Sequence, residues 1–103
     1  MNNKTLTLLG FAAKAGALVF GSDLSVKAVR CGKAKSVFVA NDISFKSHKE
    51  IMFHCEKNRV EAFELKDINM TELGKAVGRK CGVVAVTDGN FSSSIISSLT
   101  SDV

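Results

Sequence analysis

The sequence predicts an α/β fold in which helices cover both faces of a sheet, and three observations carry that expectation. Apolar residues recur alternately at helical and at strand-like periods from one end of the chain to the other, an α-β-α-β-α-β-α-β-α order. Two short runs, Ser36–Ala40 (SVFVA) and Val83–Thr87 (VVAVT), are apolar enough to be buried on both faces, as the central strands of a covered sheet are. The 103 residues, 46% hydrophobic and 23% charged, suffice for one domain with a real core and are too few for two of ordinary size.

Each element has its own signal. Thr5–Ala15 reads as a helix, with Asn3 placed to cap it and Gly16 to stop it. Leu18-Val19-Phe20 is a short extended segment closed by Gly21. A second helix runs from Ser22 to Cys31 and ends at Gly32; Leu24, Ala28 and Cys31 form its apolar stripe. After the SVFVA strand, Ser44 opens a third helix reaching about Asn58, with His48, Ile51, Met52 and Cys55 at the i, i+3, i+4, i+7 positions of its buried face. Glu61–Leu65 (EAFEL) alternates and reads as a half-exposed strand toward an edge. Asn69 caps a fourth helix in an imperfect capping box with Glu72, and Gly78 ends it. Following VVAVT, Asp88 or Asn90 starts a last helix with Phe91, Ile95, Ile96 and Leu99 on one face, frayed toward Val103.

Charge is unevenly spread over a chain whose formal net charge is +4. Residues 1–35 carry Lys4, Lys14, Lys27, Arg30, Lys33 and Lys35 against Asp23 alone, whereas residues 61–103 hold more acids than bases. A basic field concentrated around one helix suits a phosphate backbone as partner, although a merely solvated face has the same signature. Cys31, Cys55 and Cys81 are an odd count without CxxC spacing, so they fit neither a disulfide framework nor a zinc site. They read as small buried apolar residues in a reducing compartment. Lys4 followed by an apolar run imitates a secretory signal, but Leu6, Leu9 and Ala13 fall at helical spacing and Lys14 comes too soon. No stretch approaches membrane-spanning length, and the expected location is the cytoplasm.

Catalysis finds no support. The only histidines, His48 and His54, stand about 240° apart around one helix and cannot share a proton or a ligand. There is no G-x-S-x-G elbow, no G-x-G-x-x-G and no Walker loop. We therefore expect no enzyme, no cofactor and no metal site.

Two glycine-rich turns are more informative. Gly21-Ser22-Asp23, between a strand and a helix, presents backbone N–H groups and the positive end of the helix dipole. Asp23, Lys27 and Arg30 then form one polar stripe at i, i+4 and i+7, and Lys33 and Lys35 continue the positive charge toward the next strand. The structural alternative is an ordinary helix start with an Asp23–Lys27 surface pair worth only tenths of a kcal/mol. The second turn, Gly78-Arg79-Lys80-Cys81-Gly82, sets paired bases between glycines that permit close approach of a backbone or a base. In an all-parallel sheet these turns would lie at opposite edges, so a shared surface requires an antiparallel pairing.

These residues carry a resemblance. The run LLGFAAKAGALVFGSDLSVKAVRCGKAKSVFVANDIS, followed by LGKAVGRKCGVVAVTD, resembles the L-seven-Ae/L-thirty-e ribosomal protein superfamily, and within it the short bacterial YlxQ-type proteins. The resemblance covers the chain from about Lys4 to Phe91 and implies a single RNA-binding domain over residues 1–103, a three-layer α/β/α sandwich around a small mixed sheet of about four strands. It implies non-enzymatic binding of structured RNA, a kink-turn in ribosomal RNA or another ribonucleoprotein, with ribosome-associated proteins as further partners and a monomer when free. The family's recognition segment, Gly-x-Asn-Glu-x-x-Lys, falls on Gly21-Ser22-Asp23-Leu24-Ser25-Val26-Lys27, where Asp23 replaces Asn and Leu24 replaces Glu. Its second contact falls on Arg79, Lys80, Cys81 and Gly82.

The expected interface thus comprises backbone N–H groups of Gly21 and Ser22 with the Asp23 side chain at base edges, Leu24 beside them, and Lys27, Arg30, Lys33 and Lys35 on phosphates. Arg79, Lys80, Cys81 and Gly82 would pack against an extruded base or the sugar edge. Ionised Asp23 accepts but cannot donate, and Leu24 can do neither, so binding should be weaker or tuned to a different RNA. Stacking on aromatics should be minor, because all seven are Phe and most lie on core stripes, Phe20 and Phe53 excepted. The competing reading is a protein-interaction or assembly module of the same fold, with Leu24 and Phe20 opening an apolar docking patch and RNA held only electrostatically.

Overall fold

The computed structural model describes residues 3–100, and among them it contains five helices and four strands. In chain order these are α1 (Asn3–Lys14), β1 (Leu18–Phe20), α2 (Ser22–Arg30), β2 (Ser36–Ala40), α3 (Phe45–Lys57), β3 (Glu61–Leu65), α4 (Met70–Val77), β4 (Val83–Val86) and α5 (Gly89–Thr100). The alternation read from the sequence is the alternation observed, with boundaries shifted by a residue or two. Asn3 is already helical, and the expected fraying at Ser101–Val103 lies outside the described residues.

The strands form one mixed sheet in the order β1-β4-β2-β3. β4 is antiparallel to both neighbours, while β2 and β3 run parallel with Phe38 opposite Phe63. Alternation along the pleat explains why β2 and β4 are apolar throughout. Phe38, Ala40, Val84 and Val86 face a core shared with α1, α4 and α5 residues such as Leu9, Leu73 and Ile95. Val37, Val39, Val83 and Ala85 face a second core built with Ala28 and Val29 of α2 and Ile51 and Cys55 of α3. Helices therefore cover both faces, giving the three-layer sandwich. Phe38 and Phe63 stack at 5.5 Å between ring centroids, tying the edge strand β3 to the centre.

One close approach fixes a pair of helices. A Cβ at Gly10 would stand 2.9 Å from the Ala76 carbonyl oxygen, so glycine is what allows α1 to press against α4. Capping fixes three of the helix starts. Ser44 accepts from the Ser47 N–H at 3.1 Å, and Asp88 Oδ1 accepts from Asn90 and Phe91 at 2.8 and 3.0 Å. At α4 the box is complete: Asn69 Oδ1 accepts from Glu72 N at 2.8 Å and Glu72 Oε1 accepts from Asn69 N at 3.1 Å.

Three expectations need correction. On α2 the buried face is Ser25, Ala28 and Val29, and Leu24 and Cys31 are exposed. The helix is rotated so that its small residues meet the sheet, which lets it lie close over Val83 and Ala85. Accordingly Cys31 is a surface thiol, unlike Cys55 and Cys81. Lastly, the phenylalanines are not mostly core: Phe38 alone is fully buried, while Phe11, Phe45 and Phe53 are exposed.

Candidate nucleic-acid interface

The antiparallel pairing of β1 with β4 answers the question of edges. Phe20, the last residue of β1, sits opposite Val84, and the Gly21 N–H donates to the Val83 carbonyl at 2.8 Å. The chain therefore leaves β1 for α2 at the very end of the sheet where the 78–82 loop enters β4. The pairing of β2 with β4 brings a third segment there, because the Ala40 N–H donates to the Gly82 carbonyl at 2.8 Å. Asn41-Asp42-Ile43 and the start of α3 thus share this edge, a placement that no local pattern in the sequence signals.

At α2 the geometry is set by Gly21, whose φ of 91° and ψ of 160° belong to a region that only glycine adopts readily. Its carbonyl accepts from Ser25 N at 3.0 Å, the first bond of the helix. No side chain caps this end. The N–H groups of Ser22, Asp23 and Leu24 precede the first intrahelical donor and point out of the helix start, where the macrodipole is positive. The Gly21 N–H, expected to face a ligand, is instead consumed by Val83 inside the sheet. The outward donors begin one residue later.

The second turn is held from below. A Cβ on Gly82 would come within 2.6 Å of Ile43 Cγ2 and 3.0 Å of Met70 Cγ, so this glycine lets the loop pass beneath both side chains. Gly78 ends α4 with φ of 80°, its N–H donating to the Gly74 carbonyl at 2.9 Å. Cys81 and Gly82 are buried by this anchoring, so Gly78, Arg79 and Lys80 form the exposed crest. Burial pushes the Cys81 thiol above its ordinary range, with the nearby Arg79 charge pulling the other way. The two turns then touch: the Arg79 guanidinium lies over the Phe20 ring, 4.8 Å from its centroid. Such a contact fixes a flat cationic surface beside the open helix start.

The remaining basic residues divide. Asp23, Lys27 and Arg30 are exposed and line one groove along α2 with Val26 and Cys31. Lys27, five residues beyond Ser22, sits about 7.5 Å up the helix from the helix start. Lys33 and Lys35 lie elsewhere. They follow the far end of α2, and the Lys35 N–H donates to the Val86 carbonyl, at the opposite end of β4. The structure does not bring them to the edge shared by Ser22 and Arg79. Leu24, 57% exposed, stands at that edge as an uncovered apolar side chain. Among the described residues there is no group of three or more His, Cys, Asp and Glu placed to hold a metal ion, and no helix is long and apolar enough to cross a membrane.

What this edge can do is bind an anionic, partly flat ligand: three outward amides, a helix dipole, a guanidinium plane and lysines on either side. The comparisons with known proteins agree with that class. Residues 3–96 match the Ribosomal protein L7Ae/L30e/S12e/Gadd45 family, and the chain belongs to it. It is 34% identical over 88 residues to the RNA-binding protein YlxQ of Enterococcus faecium, covering 85% of this chain and 84% of that protein. Against the RNA-binding protein YlxQ of Bacillus subtilis (strain 168) it is 34% identical over 93 residues, 89% of this chain and 91% of the relative. Among solved structures, a Bacillus halodurans protein described as of unknown function superposes with a TM-score of 0.89 at 30% identity, covering 94% of this chain and 97% of that one. The Giardia lamblia 15.5kD RNA binding protein superposes with a TM-score of 0.78 at 21% identity, over 93% and 82% of the two chains, a likeness of fold.

Proposed function

We infer that this chain is a non-enzymatic RNA-binding protein that seats a sharply bent, kink-turn-like RNA on the edge formed by the start of α2 and the 78–82 loop. One observation carries the reading: an uncapped helix start lies beside an exposed Arg79–Lys80 crest, with Arg79 stacked on Phe20 at 4.8 Å. The names of the YlxQ relatives, RNA-binding proteins matched over most of their length, support it. In this reading the amides of Ser22, Asp23 and Leu24 meet base edges or a phosphate at the bend. Lys27 and Arg30 follow one backbone strand, and Arg79 and Lys80 support a base that leaves the stack. Cys81 and Gly82 act by holding that crest in place. Lys33 and Lys35 contribute to the far field. The RNA is ribosomal or part of another ribonucleoprotein in the cytoplasm, and the free protein is a monomer.

The test is a binding titration with labelled kink-turn RNA. Lys27→Ala and Arg79→Ala should each weaken binding while leaving the fold intact by circular dichroism; undiminished affinity in both variants would count against this edge. A second reading has an observation of its own. Leu24, exposed beside the amides, suits a protein partner better than a phosphate, and an assembly module would bind through it with RNA held only by charge. Capture of a partner that survives nuclease treatment and is lost in Leu24→Ser would favour that reading.

A further inference from the structure

The outer face of α3 holds a feature that the edge just described does not use. Phe45 is 80% exposed and Phe53 is 60% exposed, on a helix whose inner face is already buried through Ile51 and Cys55. With Lys46, Lys49, Glu50 and His54 they line one groove. Lys49 lies four residues from each ring, so it falls between them on the same side of the helix. Lys57 stands over Phe53, its Nζ 6.0 Å from the ring centroid, and the His54 ring meets Phe53 edge-on at 5.3 Å. Eight residues of helix separate the two rings by about 12 Å along the axis.

We propose that this groove is a second nucleic-acid subsite, a stacking platform for a single-stranded RNA segment that continues away from the bend. The proposal rests on the RNA-binding reading above and extends it. Charge decides the occupant. Lys46 and Lys49 share the groove with the single acid Glu50, so an apolar protein segment covering both rings would bury positive charge in excess. A nucleic acid strand supplies what the groove repeats, a flat base for each ring and a phosphate for the lysine between them. Lys46 and Lys49 line the groove against Glu50, and Lys57 over the Phe53 ring adds a third positive charge at its end. Position agrees as well. Phe45 opens α3 directly after Asn41–Ser44, the segment that leaves β2 at the end of the sheet where Gly82 bonds Ala40. A strand passing over the start of α2 and the Arg79 crest meets Phe45 next and Phe53 a few nucleotides later.

The experiment uses the full chain with a blunt kink-turn RNA, the same RNA carrying a short single-stranded tail at either end in turn, and the tail alone, each with a fluorescent purine analogue in the tail where one is present. The platform predicts that one tailed RNA binds roughly tenfold more tightly than the blunt one and that the analogue is quenched on binding. Phe45→Ala/Phe53→Ala should erase the gain and the quenching and leave blunt-RNA affinity unchanged, whereas Lys27→Ala should weaken blunt and tailed RNA alike. No gain from either tail while the blunt RNA binds would overturn the platform and spare the first reading. Quenching of the tail alone, lost in the double variant, with no binding of blunt RNA would uphold the platform and sink the kink-turn reading. A double variant that changes the oligomeric state, or loses a nuclease-resistant protein partner, with tail binding unaltered would reassign the face to protein contact.

Discussion

Two helices begin at the same end of the sheet and are finished in opposite ways. At α4, Asn69 and Glu72 exchange hydrogen bonds in a complete capping box, and Asp42 Oδ1 accepts from Met70 N at 2.8 Å, so side chains of the protein satisfy the Met70 and Glu72 amides of the first turn. At α2 the residue in the capping position is Gly21, no side chain reaches the first turn, and the next three amides face outward. Serine, asparagine or aspartate at position 21 would be the stabilising choice for an ordinary helix. Gly21 instead takes a backbone conformation that those residues resist, which turns the chain directly from β1 into the helix. The difference separates a helix start closed by its own side chains from one left open.

The same contrast orders the expected effects of substitution. Gly21→Ala should do most damage, costing about 1–3 kcal/mol of stability through its positive φ and also weakening RNA binding, because the outward amides move. Retention of both in a denaturation curve and an RNA titration would mean that the turn is not strained as described. Asp23→Asn restores a donor at the open start and should raise affinity for a kinked RNA, by about tenfold if one base contact is regained. An unchanged titration would place position 23 away from base edges. At the closed start, Asn69→Ala should cost about 1 kcal/mol in a urea melt and leave RNA affinity alone. Smallest is Ser25→Ala. Ser25 Oγ is buried without a hydrogen-bond partner, so its removal should leave stability unchanged or raise it by up to about 1 kcal/mol. A clear loss of stability would show that the hydroxyl is satisfied after all.

Legibility from sequence followed the range of the interaction. The helices and strands were visible because each depends on local periodicity and capping; even the α4 box was half apparent in Asn69 and Glu72. The strand order was not. Nothing in LVF or VVAV states that the two pair antiparallel, yet that pairing alone brings Gly21 beside the 78–82 loop. Long-range pairing likewise removed Gly21 N–H from the interface, and it left Lys33 and Lys35 at the wrong end of the sheet. The buried face of α2 was misjudged because Ser25 is polar by type and buried by position, whereas Leu24 is the reverse. Phe45 was missed as a surface residue for a related reason: it is apolar by type, although Lys49 one turn on marks its side of α3 as the polar one.

The most direct measurement is a salt series of binding titrations with a labelled kink-turn RNA beside an uninterrupted duplex of matched length. The label belongs on the RNA, since the protein has no Trp or Tyr. If the open start of α2 reads a bend, both affinities fall as salt rises but the preference for the kinked RNA persists, and Lys27→Ala lowers the salt slope by about one. Equal binding of the two RNAs, erased together by salt, would contradict the account and leave only a basic surface.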